Sequence, residues 1–136
     1  MVLDREWMRG AAPLAVLTLL ARRPMYAYEL IEALELDSGG ILEFGQSTLY
    51  PLLYNLQAKG MVKAQWREGD SGRERKYYAL TDRGRTRLAR ETKQWNALAK
   101  AMVGLGVLDG GAISHAMTSA ASRRHAPTSG AWEAAT

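Results

Sequence analysis

At 136 residues the chain has room for one domain with a short extension, built around one modest hydrophobic core. It has no cysteine, which excludes disulfides, thiolate nucleophiles and cysteine-held zinc and is compatible with a reducing cytoplasm. The formal net charge of +4 is unevenly spread: residues 24–58 hold five acids and no base, whereas residues 59–100 hold twelve bases against five acids. A basic half beside an acidic half suits a polyanionic partner on one face, and equally suits a solvated basic helix.

Residues 1–10 form a mixed-charge arm containing Trp7 and Met8. The apolar run 11–21 is too short to span a bilayer, which takes ~20 apolar residues. Asp4 and Glu6 acidify what would be a signal's basic head, and Arg22 and Arg23 stand where a cleavage site would need small residues. A core helix is therefore expected, opened by Pro13 in its first turn and carrying Leu14, Leu17, Leu20 and Ala21 on one face. Pro24 ends it. A second helix is expected over residues 25–36, striped by Tyr26, Leu30, Ile31 and Leu34, followed by a turn at Ser38, Gly39 and Gly40. A third begins near Gln46 or Ser47, capped by Ser47 or Thr48, and stops at Gly60. Its Leu49, Leu52, Leu53 and Leu56 lie on one side; Gln46, Ser47, Tyr50, Tyr54 and Asn55 fall nearer the other.

The period then changes. Val62, Ala64 and Trp66 alternate with Lys63, Gln65 and Arg67, which predicts a half-buried strand with Trp66 on the core side. Turn residues follow at 68–72, and residues 75–80 return as a second strand, on which Tyr77 and Tyr78 must face opposite ways. Thr81 and Asp82 cap a long helix to about Gly106. In it Leu88, Trp95, Leu98, Met102 and Leu105 are spaced 7, 3, 4 and 3, close to a coiled-coil seam that calls for a partner helix. Residues 108–136, rich in small residues and with no net charge, are expected to be a mobile tail.

The fold expected is mainly α with a small β-hairpin: a winged helix-turn-helix over residues 1–81 with its N-terminal arm, then a dimerisation helix over 82–107. In such an arrangement the first two helices bury the apolar side of the third, whose free face is sized for the major groove of DNA. The hairpin then lies along the backbone or in the minor groove, where Arg73, Arg75 and Lys76 can meet phosphates. Candidate DNA-contacting residues are accordingly Gln46, Ser47, Thr48, Tyr50 and Asn55 on the helix and Arg73, Arg75 and Lys76 on the wing.

Several segments carry a family likeness. Residues 25–30 (MYAYEL), 47–53 (STLYPLL), 59–62 (KGMV) and 72–81 (GRERKYYALT) resemble, in the same order, four motifs of PadR-family regulators, and Gly84 and Trp95 also fall in place. The resemblance covers about residues 10–106. It implies a winged-helix repressor, dimeric through its C-terminal helix and often released by a small aromatic or hydrophobic effector; the single C-terminal helix marks the shorter type. Two departures stand out. Ala27 replaces a usual glycine, and the second half of the third helix has Tyr54 and Asn55 where bases are common. Without Lys or Arg there, that helix lacks the commonest guanine contact.

Trp95 on the seam either fills the dimer core or, with Trp7 and Met8 from the arm, lines an aromatic effector site. Partners are thus double-stranded DNA with a pseudo-palindromic operator, a second copy of the chain and a small aromatic molecule, with no membrane. His115 and His125 both lie in the tail, and no acid pair, nucleophile with its base or phosphate loop stands on a folded element. No enzyme activity, metal or cofactor is expected. Two alternatives remain: a dimeric small-molecule-binding module with weak or lost DNA binding, and a protein adaptor using the long helix.

Overall fold

The computed structural model describes residues 1–111, so most of the expected tail, with His115, His125 and Trp132, lies outside the described residues. The element order is α1 (Arg5–Arg22), β1 (Met25–Tyr26), α2 (Ala27–Asp37), α3 (Gln46–Ala58), β2 (Val62–Glu68), β3 (Glu74–Leu80) and α4 (Asp82–Leu105). The strands form one antiparallel sheet in the order β1-β3-β2. By internal packing the chain divides into two units, 1–88 and 89–136, so α4 starts in the first and runs on in the second.

In the first unit the heart of the core is Val16, Leu17, Leu30, Leu49, Leu53 and Leu56, all essentially without exposure. At ~1.5–3 kcal/mol for each such side chain, this layer of three helices is the main source of stability. Val62, Tyr78 and Leu80 extend the cluster onto the sheet, and Met8, Met61, Ala64 and Leu88 pack against it half-buried.

Two local expectations are corrected. Helix α1 starts at Arg5 rather than Pro13, so Trp7 and Met8 are helical and not on an arm. Pro13 sits inside the helix, at the loss of one backbone hydrogen bond. Packing of Met8, Ala12, Val16 and Leu17 holds the helix across that break. The segment after Pro24 is first a strand: Met25 and Tyr26 pair with Tyr78 and Tyr77 before α2 begins. Tyr26 is extended and flanks α2, and its N–H donates to the Glu29 carboxylate at 3.3 Å, while Glu29 also holds the Arg23 guanidinium at 2.8 Å. A carboxylate in the first turn suits the positive end of the helix dipole.

In the second unit α4 continues to Leu105. Gly106 takes a positive φ of 86°, and the N–H groups of Gly106 and Val107 bond back to the carbonyls of Val103 and Met102. This is the glycine-terminated stop expected at that position.

Candidate nucleic-acid interface

Helix α3 is preceded by Gly45, whose carbonyl accepts from the N–H groups of Thr48 and Leu49. Ser47 and Thr48 are therefore inside the first turn and do not cap the helix, contrary to the sequence expectation. The helix ends at Gly60, with φ of 74°, where Gly60 and Met61 donate to the carbonyls of Gln57 and Leu56. Between these limits the two sides are sharply divided. Leu49, Leu53 and Leu56 are buried, while Gln46, Ser47, Thr48, Tyr50, Tyr54 and Asn55 are exposed. The exposed side is a ridge of hydrogen-bonding and aromatic groups with no charge of its own.

The hairpin register fixes which wing residues share a face. Val62 pairs with Leu80, Ala64 with Tyr78, Trp66 with Lys76 and Glu68 with Glu74. Directly opposed residues lie on one side of an antiparallel ladder, so these eight form one face. Near the helices it is core, through Val62, Tyr78 and Leu80; further out the helical layer has ended and Trp66 is 63% exposed. Trp66 is thus on the predicted side of the strand but not in the core, because alternation gives the side and the extent of the covering layer gives the burial. The Lys76 ammonium stands 5.7 Å from the centre of the Tyr78 ring.

The other face carries Lys63, Gln65, Arg67, Arg75, Tyr77 and Ala79. Arg67 and Arg75 are directly opposed, a like-charge pair that costs stability unless offset. Aromatic rings offset it: Arg75 lies 4.5 Å over Tyr26 and Arg67 5.1 Å over Tyr77, and those two rings meet edge-on at 5.4 Å. Of the three predicted wing cations, Arg73 is exposed and precedes the strand, Arg75 is half-buried against Tyr26, and Lys76 is half-buried on the opposite side. Sequence reading missed Arg67, whose place beside Arg75 depends on the register of the hairpin.

Tyr78 is the buried ring of the wing's core-side face. Burial pushes its phenol above the ordinary 10.0, and the Tyr50 phenol adds to the shift. Val62, Tyr78 and Leu80 share one buried cluster with Leu49, Leu53 and Leu56, so the core-side face of the wing packs against α3.

Of the expected effector residues, Met8 packs against the core and Trp7 is 68% exposed on α1. Trp95 lies on α4 in the second unit. Of the expected seam, Leu88 packs against the core of the first unit. Trp95, Leu98 and Leu105 are exposed and Met102 half-buried on the single chain. Among the described residues no helix is long and apolar enough to cross a membrane, and no group of three metal-binding side chains occurs.

Three helices, the third with a polar outer side, followed by a two-stranded hairpin and a further helix, define a winged helix-turn-helix protein. The family model of the "Transcriptional regulator PadR-like family" matches residues 16–90, and the chain belongs to that family. It is a transcriptional regulator. The transcriptional regulator Rv3488 of Mycobacterium tuberculosis is 32% identical over 100 residues, covering 74% of this chain and 90% of that one. Among solved structures, a PadR family transcriptional regulator from Eggerthella lenta is 35% identical with a TM-score of 0.63, covering 76% of this chain and 88% of that one. A Streptococcus transcriptional regulator is 26% identical with a TM-score of 0.67, covering 76% and 99%.

Proposed function

We propose that the chain is a homodimeric, DNA-binding repressor whose α3 helices enter successive major grooves while the wings track the backbone. The observation that carries this reading is the division of α3. Its leucines are spent on the core, and Gln46, Ser47, Thr48, Tyr50 and Asn55 are left outward beside a hairpin bearing Arg73, Arg75 and Lys76. The helix has no cation of its own, so the division of labour is pronounced: amides, hydroxyls and rings read base edges, and the wing supplies the charge. Two copies related by a two-fold axis present two such helices about 34 Å apart, matching a pseudo-palindromic site. Exposed Trp95, Leu98 and Leu105, with Met102, supply the pairing surface on α4.

The test is binding of the chain to labelled duplex from upstream of its own coding region, against an unrelated duplex, over a series of salt concentrations. Specific binding that weakens with salt is expected. Arg73→Ala and Lys76→Ala each flatten the salt dependence by about one ion for every phosphate no longer neutralised, and weaken all sequences alike. Gln46→Ala or Asn55→Ala alters preference at particular base pairs, by ~1–3 kcal/mol where the side chain had bonded well to a base edge. Equal affinity for both duplexes, or none for either, overturns the reading.

A further inference from the structure

Trp66 is the largest apolar side chain on the wing, and the chain's own fold leaves it 63% exposed. A partner that covers an exposed indole gains the free energy of removing its apolar surface from water. Its surroundings narrow the partner. Lys76 is its cross-strand neighbour on the same face. Inward along that face come Ala64 and Tyr78, then Val62 and Leu80, and Tyr78, Val62 and Leu80 share one buried cluster with Leu49, Leu53 and Leu56 of α3. Trp66 therefore stands on the side of the wing that faces the reading helix, beyond the edge of the core and beside a cation.

Resting on the DNA-binding reading above, we infer that Trp66 is a DNA-contacting residue. Its indole lies flat against the deoxyribose of the strand running between the groove read by α3 and the wing, and its ring N–H donates to the adjoining phosphate. Sugar is the apolar part of the backbone, and an indole carries an apolar body with one donor at its edge. Lys76 alongside neutralises the phosphate charge. Trp66 thus gives the wing an affinity contact that depends neither on sequence nor on ion release, complementing a reading helix without charge.

That last property distinguishes it from the cationic side chains of the wing. Affinity for the upstream and unrelated duplexes is measured over a salt series for the wild type, Trp66→Phe and Trp66→Ala, with sedimentation of each. The expected result is an affinity loss on the order of tenfold for Trp66→Ala on both duplexes, with the salt slope unchanged. Trp66→Phe, which keeps a ring but loses the donor, recovers part of the loss. The tryptophan emission of the wild type changes on adding DNA by more than that of Trp66→Phe. The exposed position makes both variants fold as the wild type does, and thermal melts check this. If the wild type binds neither duplex, the DNA-binding reading falls and this inference with it. If the wild type binds and Trp66→Ala stays within about twofold of it, the inference alone is overturned. A shift of Trp66→Ala to monomer in sedimentation also overturns it, since the indole would then be covered by a second copy of the chain.

Discussion

The hydroxyl of Thr81 donates a 2.6 Å hydrogen bond to the carbonyl of Gly60, tying the residue that opens α4 to the one that closes α3. The same hydroxyl oxygen accepts from the Gly84 N–H at 3.0 Å, as a helix cap, and the Thr81 N–H donates to the Met61 carbonyl at 3.2 Å. One side chain and its backbone thus fix the start of α4 against the end of α3. Thr81→Ala removes the cap and leaves the Gly60 carbonyl short of a donor, for an expected loss of about 1–2 kcal/mol in urea unfolding. Thr81→Ser keeps the oxygen and is expected to restore most of it. A loss below about 0.5 kcal/mol would mean that water replaces both bonds.

Gly84, the buried residue of α4, packs against the same turn. A β-carbon there would overlap the Met61 carbonyl oxygen and press on the Leu80 side chain. The carbonyl cannot withdraw without giving up its bond from Thr81. Alanine is favoured over glycine in a helix by up to ~1 kcal/mol, but backbone overlap in a packed site outweighs that. Gly84→Ala is expected to destabilise by roughly 2–4 kcal/mol. Thermal and urea unfolding measure it, and a variant as stable as the wild type would show that the turn yields freely.

What sequence alone disclosed follows from the range of the forces involved. Periodicity located α2, α3 and the hairpin because each has one side in the core, and the alternation of Tyr77 with Tyr78 correctly put one ring inside. Glycines at 60 and 106 marked helix ends because their backbone conformation is local. The start of α1 was not legible: a proline inside a helix is tolerated only through tertiary packing, here that of Met8 and Ala12 on residues far along the chain. Nor was β1, a two-residue strand that exists only because β3 passes beside it. The polar side of α3 was legible from its leucine spacing. The Arg67–Arg75 pair and the exposure of Trp66 were not, since both depend on hairpin register and on where the helical layer stops.

Tyr78 makes stability depend on pH at the alkaline end. Burial raises its phenol above 10.0, and the neighbouring Tyr50 phenol adds to the effect. Between 10.0 and the raised value the unfolded chain has released this proton and the folded chain retains it. The stability contributed is therefore complete below that window and declines as pH rises through it. Tyr78→Phe removes this decline. The check is urea unfolding at about pH 8 and about pH 11, where the variant should lose less than the wild type. Equal losses would show that other groups govern the alkaline limit.

Trp95 offers the clearest separation between a packing role and a binding role on α4. On the single chain Trp95 is 43% exposed, Leu98 47% and Leu105 76%, a stripe in one helix that soluble proteins rarely leave bare. Sedimentation at micromolar concentration is expected to give a dimer, and Leu98→Asp, which sets a charge into the stripe, to give a monomer that no longer binds DNA. A monomeric wild type would remove the premise. If α4 pairs with its mate about a two-fold axis near Trp95, the two indoles would face each other, and a gap between them would accept a planar aromatic molecule. If the indole served packing alone, Trp95→Ala would lower dimer stability by ~3–5 kcal/mol, the usual cost of emptying such a site. If the indole lines an open slot instead, Trp95→Ala still dimerises and binds DNA, but a planar aromatic compound that releases the wild type from DNA no longer releases the variant. Titration of such compounds against preformed complexes, read by gel shift, decides it. Ligand release unchanged in Trp95→Ala would take the residue out of the effector site, and dissociation into monomers would assign it to the dimer core.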